Sequence, residues 1–130
     1  MRLLLDTHVA LWAVYRSERL SGAARVLLED PASEVYFSVL SLWEIAIKRA
    51  KRPEQLPDAE TARRDFLDAG IKEWPLHGDV FPRLESLPML HKDPFDRLLV
   101  ATAFTEPMRL VTADKTVGRY DEGGKLVLVI

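Results

Sequence analysis

The amino-acid sequence predicts an α/β fold with three layers (α/β/α) around a central, mostly parallel five-stranded sheet. Short apolar runs alternate with stretches of helical periodicity, residues that start helices follow these runs, and the sequence closes on a further apolar run. Such alternation is typical of parallel strands joined by right-handed helical crossovers. A chain of 130 residues with 48% hydrophobic content suits one domain, which we assign to residues 1–130.

The first elements follow from one apolar run and two helical stretches. Residues 2–6 contain three consecutive leucines and end in an acid, which is typical of a strand buried on both faces. From Thr7 apolar side chains recur at helical spacing, and Ser21 is a suitable N-cap for a second helix that ends before Pro31. Residues 35–37, which are valine, tyrosine and phenylalanine, predict the second strand.

The third and fourth helices are predicted from the residues at their ends. Ser38 or Ser41 can cap the third helix, which ends among the charged residues of 48–52. Asp58 can cap the fourth helix. Gly70 can end that helix, because glycine readily adopts the left-handed conformation found at helix C-termini.

The second half of the chain continues the alternation. We expect Phe66 and Leu67 to face the core and residues 71–74 to form the third strand. Asp93–Pro94 indicates another helix start, because aspartate accepts hydrogen bonds from free amides and proline fits the first helical position. This helix should run to Thr105.

Two strands complete the predicted sheet. Residues 109–112 predict the fourth strand, and residues 126–130, after a turn at Gly123–Gly124, predict the fifth. In a parallel sheet, functional side chains gather in the crevice beyond the carboxyl ends of the strands, where the strand order reverses. Acidic residues at these ends are therefore the first candidates for a functional site.

Composition excludes several kinds of site. The sequence contains no cysteine, so a metal would have to bind oxygen or imidazole rather than sulfur. A formal net charge of -2 is not typical of a dedicated nucleic-acid binder, although acids gathered at one site can coexist with basic surface elsewhere. No apolar run is long enough to cross a bilayer and no leader pattern is present, so we expect a cytoplasmic protein without a membrane partner.

Four acidic residues are expected at the carboxyl edge of the sheet. Asp6 ends the first strand, and Asp114 lies two residues beyond the fourth. Glu44 lies on the helix after the second strand, and Asp96 lies in the first turn of the helix that follows Asp93. Two negative charges about 4 Å apart repel by roughly 4 kcal/mol at an effective dielectric constant near 20, which a divalent cation would relieve. Mg²⁺ and Mn²⁺ prefer such oxygen ligands and can activate water for attack on phosphorus.

Four motifs that include these acids extend, in order, over nearly the whole chain. They are Leu4-Leu5-Asp6-Thr-His, Ser41-Leu-Trp-Glu44, His91-Lys-Asp-Pro-Phe-Asp96-Arg97-Leu and Leu110-Val-Thr-Ala-Asp114. In order and spacing, the set resembles the motifs of VapC-type toxins of the PIN-domain family.

The resemblance implies a fold, an activity and partners. It implies a parallel five-stranded sheet flanked by helices, RNA cleavage that depends on Mg²⁺ or Mn²⁺, inhibition by a co-encoded antitoxin, and a homodimer. Matched by motif, Asp6, Glu44, Asp96 and Asp114 would be both the catalytic and the metal-binding residues. Many relatives carry a further acid two positions after the last aspartate, where this sequence has Thr116, so the resemblance supports one metal better than two.

Other polar residues near the motifs have ordinary structural explanations. Asp93 precedes a proline, which favours an N-cap over a metal ligand. The hydroxyls of Thr7 and Thr112 can orient a carboxylate or bind the backbone. The three histidines lack a partner at metal-binding helical spacing, and we expect structural or surface roles for them. They are His8, His77 and His91.

Basic and aromatic residues leave further interpretations open. The cluster at 48–52 could contact RNA phosphates, but basic residues also stabilise a helix C-terminus. Arg97 could fix the acidic network or contact phosphate. Trp12 and Trp43 are more typical of a core or interface than of base stacking. The resemblance implies that their helices help to form a groove for an antitoxin helix.

Three other functions fit parts of the pattern. A receiver-like signalling module has a similar length and an acidic magnesium pocket, but it needs adjacent acids where Asp6 is followed by Thr7. A haloacid-dehalogenase-like phosphatase needs a second aspartate at the position of His8. A catalytically silent PIN-like binding protein is also compatible with the fold, although retention of all four acids argues against it.

Overall fold

A five-stranded parallel sheet forms the centre of the computed structural model, which describes residues 1–121 and 126–128. The strands are β1 (Arg2–Leu5), β2 (Glu34–Ser38), β3 (Lys72–Trp74), β4 (Arg109–Thr112) and β5 (Leu126–Leu128). Neighbouring strands pair in the order β3-β2-β1-β4-β5, and all four pairs are parallel. The predicted α/β fold class is therefore confirmed.

Within the described residues, seven α-helices join the strands. They are α1 (Thr7–Tyr15), α2 (Gly22–Glu29), α3 (Val39–Arg49), α4 (Ala59–Asp68), α5 (Val80–Ser86), α6 (Pro94–Thr105) and α7 (Lys115–Gly118). A short 3-10 helix, Ser17–Arg19, lies between α1 and α2. None of these helices has both the length and the apolar character needed to span a membrane.

Helices cover both faces of the sheet. Successive strand residues point to opposite faces, so the apolar strands present buried side chains on each face. Leu4 of β1 packs on one face with a cluster that includes Leu99 of α6. Leu3 and Leu5, its neighbours in the same strand, pack on the other face with Phe66 of α4. The three strand leucines are completely buried, and the three-layer arrangement follows from this division of the core.

Side-chain caps determine where most of the longer helices begin. The side chains of five residues accept hydrogen bonds from amides in the first turns of α1, α2, α3, α4 and α6. These caps are Asp6, Ser21, Ser38, Asp58 and Asp93. Of the two serines considered for α3, Ser38 is the cap, whereas Ser41 is buried inside the helix.

The C-terminal end of α4 confirms one prediction and contradicts another. Gly70 has a φ of 86°, the left-handed conformation expected of a residue that ends a helix. Phe66 is completely buried, but Leu67 is 42% exposed, so the expectation that both face the core is wrong for Leu67. Successive helical residues point about 100° apart, which takes Leu67 away from the sheet.

Two short helices were not predicted, namely α5 and α7. They have 7 and 4 residues, which is too short for a clear helical period. The predicted fifth strand is described at Leu126–Leu128. The predicted turn at Gly123–Gly124 and residues 129–130 lie outside the described residues.

The strand order reverses beside β1. From β1 the chain builds β2 and β3 on one side and then crosses to β4 and β5 on the other. A crevice therefore lies beyond the carboxyl ends of β1 and β4, which is where ligand sites occur in such sheets. Asp6 follows β1 directly, and Asp114 lies two residues after β4.

Candidate active site

Asp6 and Asp114 lie at this crevice and are linked through Thr112. The Asp6 amide donates to the Val111 carbonyl (3.0 Å), which extends the pairing of β1 with β4. The Thr112 hydroxyl donates to Asp6 Oδ2 and accepts a hydrogen bond from the Asp114 amide (3.1 Å). One buried hydroxyl thus fixes the two strand ends relative to each other.

The Asp6 side chain is held in a buried position, and the residue is only 4% exposed. Its Oδ1 accepts a hydrogen bond from the Val9 amide (2.8 Å), as expected of the N-cap of α1. Burial raises the pKa of Asp6, and the hydrogen bond from Thr112 opposes this rise. The protein therefore fixes a carboxylate where its negative charge is unfavourable unless a cation is nearby.

Glu44 is buried on α3 with only 2% exposed, and both of its carboxylate oxygens have partners. The Thr7 hydroxyl donates to Oε1 (2.6 Å), and Ser41 Oγ lies 2.8 Å from Thr7 Oγ1. Lys48, one turn further along α3, forms a salt bridge with Oε2. Burial disfavours the charge of Lys48, but the hydrogen bond with Glu44 leaves the pKa of Lys48 raised. Glu44 is therefore not the solvated helix residue that an isolated glutamate usually is.

Asp96, in the first turn of α6, has a pKa raised to about 7. Burial is the largest cause of this rise. The negative charges of Asp93, Glu44 and Asp6 add to it, whereas His91 lowers the pKa. Asp6 after β1 and Glu44 on α3 thus lie close enough to Asp96 on α6 for their negative charges to raise its pKa.

His91, Asp96 and Asp114 form a group of potential metal ligands in the described part of the chain. One ligand atom from each lies within 4.8 Å of the others. His91 Nε2 is 3.0 Å from Asp114 Oδ2 and 3.4 Å from Asp96 Oδ2. The structure thus brings two of the four predicted acids together around a histidine. Asp6 and Glu44 lie outside this group and have the partners described above.

We did not predict from the sequence that His91 lies at the site. Helical spacing could not reveal it, because its partners Asp96 and Asp114 come from other segments rather than from its own helix turn. The available indication was its position at the start of the motif that ends with Asp96-Arg97-Leu. The expectation of an ordinary structural or surface role is therefore incomplete for this histidine.

Asp93 and Arg97 make structural contacts. Asp93 Oδ1 accepts hydrogen bonds from the amides of Phe95 (2.9 Å) and Asp96 (3.4 Å), which confirms the predicted N-cap. Arg97 Nη2 donates to the Leu87 carbonyl (3.2 Å). This bond joins α6 to the end of α5, so Arg97 acts on the scaffold rather than on the acidic network.

A groove of about 1150 Å³ begins at Glu44 and lies between α1, α3 and the segment after α3. Five of its lining residues are cationic and two are acidic. The cations are Arg16, Arg19, Lys48, Lys51 and Arg52, and the acids are Glu44 and Glu54. Since the whole chain has a formal net charge of -2, positive charge is concentrated beside the buried acids.

The helices that carry Trp12 and Trp43 line this groove, but only one of the two tryptophans does. Trp12 forms part of the wall, with the Arg19 guanidinium 5.6 Å from its ring centre. Trp43 is 57% exposed, is not among the lining residues, and packs edge to face against Phe95 (5.2 Å). The expected groove between these helices exists, but Trp43 belongs to a different surface.

Known proteins share this architecture. A family model described as the PIN domain matches residues 3–123. A similar solved structure is the crystal structure of VapBC2 from Rickettsia felis bound to a DNA fragment from their promoter. The two chains are 18% identical and superpose with a TM-score of 0.69 over 98% of this chain and 97% of that chain, a likeness of fold. No curated protein compared with this chain matches it.

Proposed function

Because this chain belongs to the PIN-domain family, we propose that it is a metal-dependent endoribonuclease and the toxin of a toxin–antitoxin pair. The observation that carries the proposal is the set of buried acids at the carboxyl edge of the sheet. Asp6 and Glu44 are 4% and 2% exposed, and Asp96 has a pKa of about 7. Membership of the PIN family leaves the receiver and phosphatase alternatives without support.

The donor set fits Mg²⁺ or Mn²⁺. Asp6, Glu44, Asp96 and Asp114 offer carboxylate oxygens, which are the ligands that these ions prefer. Burial raises the pKa of both Asp6 and Asp96, and a divalent cation would offset this cost. We propose these four residues as the metal-binding and catalytic set. Thr116 stands where the family resemblance implies that many relatives carry another acid, and this supports a proposal of one metal rather than two.

The chemistry divides between the metal and the scaffold. When bound, Mg²⁺ or Mn²⁺ would lower the pKa of water and offset the negative charge that develops on the phosphate. The chain itself holds the carboxylates in fixed positions. Thr112 orients Asp6 through its Oδ2, and Thr7 orients Glu44 through its Oε1. Such pre-set geometry avoids reorganisation during the reaction.

We propose that the RNA backbone follows the basic groove toward Glu44. Lys51 and Arg52 are exposed and form no ion pair with any residue that the structure describes, so both can contact phosphates. Lys48 has a different role, because it is already paired with Glu44. Phosphate contacts of this kind position a strand without selecting its sequence.

The proposed protein partner is a co-encoded antitoxin that covers the same groove. The VapC-type motifs and the fold similarity to VapBC2 support this partner. Trp12 offers a half-buried aromatic surface in the groove wall. If Trp12→Ala changed neither folding nor antitoxin affinity, this binding surface would be rejected. Phe81→Ala, which removes an exposed aromatic side chain of α5 outside the groove, is the matched control.

A homodimer is proposed on a separate surface. Trp43 and Ile47 lie one turn apart on α3 and are 57% and 45% exposed, and such apolar exposure is typical of interfaces. Trp43→Ala should shift the purified protein toward the monomer in light scattering. An unchanged dimer would place the interface elsewhere, and a monomeric wild type would reject the dimer.

Cleavage of RNA by purified protein tests the proposed activity. With Mn²⁺ present, Asp6→Asn and Asp96→Asn should lower the cleavage rate by at least roughly 100-fold relative to wild type, because each removes a ligand charge. Glu60→Gln, an exposed acid on α4, is the matched control and should cleave normally. Equal cleavage by all four proteins, or cleavage that survives chelation of divalent metal, would reject the assignment.

A further inference from the structure

Both ring nitrogens of His91 have partners that define where its proton lies. Nδ1 accepts a hydrogen bond from the Asp93 amide (3.0 Å). A backbone amide can only donate, so Nδ1 carries no proton and the neutral ring has its proton on Nε2. Nε2 is closer to Asp114 Oδ2 (3.0 Å) than to Asp96 Oδ2 (3.4 Å). The geometry therefore makes His91 a hydrogen-bond donor to Asp114.

We propose that His91 is a positioning residue for Asp114 and does not itself bind the metal. The inference rests on the proposed function in one respect, the assignment of Asp114 to the metal site. Asp114 Oδ1 accepts hydrogen bonds from the amides of Thr116 (2.8 Å) and Val117 (3.4 Å), and Oδ2 accepts from His91. The Asp114 side chain is 40% exposed, and His91 is the side chain that holds its Oδ2 within a group whose ligand atoms, one each from His91, Asp96 and Asp114, lie within 4.8 Å of one another.

The hydrogen bond from Asp93 argues against His91 as a ligand. Metal binding through Nε2 requires a free electron pair on that atom, which moves the neutral ring's proton to Nδ1. Nδ1–H would then face the Asp93 amide at 3.0 Å, so two donors would oppose each other and the amide would lose its acceptor. The turn at residues 91–93 therefore selects the form of the ring that donates to a carboxylate.

The backbone of His91 is held by the segment that also supplies Asp114. The hydroxyl of Tyr120, a residue that is 4% exposed, accepts hydrogen bonds from the amides of Leu90 (3.1 Å) and His91 (2.9 Å). Asp114 and Tyr120 flank α7 on its two sides. His91 is thus fixed at its backbone and at both ring nitrogens, as a residue that orients another group must be.

The position of the ring proton can be measured on wild-type protein. Long-range ¹H–¹⁵N correlation spectra of the imidazole nitrogens, recorded with and without Mg²⁺, distinguish the two tautomers. Loss of one of the three histidine signals in His91→Gln assigns the residue. We expect a protonated Nε2 and an unprotonated Nδ1 in both conditions. A proton on Nδ1 in either condition would overturn the proposal.

Mn²⁺ affinity, measured by titration calorimetry, tests the effect on the site. His91→Ala should weaken binding by roughly 10- to 100-fold, the usual effect of losing a group that orients a ligand. His91→Gln should recover most of that loss, because its side-chain amide can replace the Nε2–H donor. The matched control is His77→Ala, an exposed histidine outside the site, which should bind as wild type does.

A double-mutant cycle separates positioning from direct ligation. If His91 acts through Asp114, His91→Ala should cause no further loss of Mn²⁺ affinity in an Asp114→Ala background. A further loss as large as the one in the wild-type background would mean that His91 acts independently, and it would overturn the proposal. Thermal unfolding of each variant confirms that a folded protein is being compared.

Failure of the proposed function would give a different result. A wild-type protein that neither binds Mn²⁺ nor cleaves RNA would remove Asp114 from any metal site, and with it the proposed function and the role of His91. A wild type that binds Mn²⁺ and cleaves RNA, but whose His91 carries its proton on Nδ1, would overturn the His91 proposal alone.

Discussion

Thr7 and Glu44 form a buried hydrogen bond of 2.6 Å that joins the first turn of α1 to α3. Because Thr7 directly follows Asp6, this bond ties the position of the Glu44 carboxylate to that of Asp6. Thr112 makes the equivalent connection between Asp6 and Asp114. Two threonine hydroxyls therefore align three acids that are far apart in the sequence.

Removal of the Thr7 hydroxyl should destabilise the protein and disorder Glu44. Thr7→Val keeps the shape of the side chain but leaves Glu44 Oε1 without its donor, at an expected cost of about 1–3 kcal/mol in the free energy of unfolding. Thr7→Ser retains the donor and should lose less. Urea denaturation measures both variants. Our interpretation would be contradicted by a valine variant at least as stable as the serine variant.

The raised pKa of Asp96 should appear as a pH dependence of stability. Its pKa of about 7 in the folded state exceeds the ordinary aspartate pKa of 3.8, so between these pH values the folded protein holds a proton that the unfolded chain has lost. The free energy of unfolding of metal-free protein should therefore fall as the pH rises from about 4 to about 7. Asp96→Asn should reduce this fall, as measured by thermal unfolding in chelator. An identical fall in both proteins would exclude Asp96 as its source.

Charge reversal in the groove should weaken RNA binding. The measurement uses an Asp6→Asn background, in which cleavage is expected to be slow. There, Lys51→Glu/Arg52→Glu should lower RNA affinity and reduce the slope of log affinity against log salt by about 1 to 1.5, the value for two lost phosphate contacts. Arg63→Glu/Arg64→Glu is the matched control on α4, because it changes the net charge equally outside the groove. Equal effects of the two pairs would indicate a nonspecific charge effect.

The left-handed conformation of Gly70 should make this position sensitive to a β-carbon. No atom within 4 Å would obstruct the new methyl group of Gly70→Ala, so the expected loss of about 1 kcal/mol comes from the φ of 86° alone. Gly22→Ala also meets no atom within 4 Å but lies in the first turn of α2, where it should be neutral or slightly stabilising. Denaturant midpoints compare the two variants. A neutral Gly70→Ala would show that residue 70 tolerates a different backbone conformation.

Elements with clear local determinants were predictable from sequence. The bounds of α6, Pro94–Thr105, agree with the prediction because Asp93 caps the helix and Pro94 fits its first turn. Strand β4 was also predicted at its observed bounds, Arg109–Thr112, from a buried apolar run. Local sequence was sufficient in both places because the cap and the apolar pattern lie within the element itself.

Features that depend on distant contacts were not predictable in this way. The role of His91 depends on Asp114, which is 23 positions away, and on a turn that directs Nδ1 to the Asp93 amide. The burial of Glu44 depends on Thr7, 37 positions earlier. Helix α7, with 4 residues, is defined by its Asp114 cap rather than by a periodic pattern. The spacing of residues in the sequence predicts which side chains are neighbours within one helix or strand. The contacts of His91 and Glu44 instead join different segments, which are brought together by the order of the strands in the sheet.

The Thr112 hydroxyl is 106 positions from the Asp6 carboxylate that it orients. During synthesis, Asp6 emerges before β4, and a chain that stops before β4 lacks Thr112 and Asp114 and leaves one edge of the central strand β1 without its partner. Translation adds about 5–20 residues per second, so these groups arrive seconds after Asp6. The acidic edge should therefore stay unassembled until β4 has been synthesised, and fragments that end before β4 should lack the paired arrangement of Asp6 and Asp114.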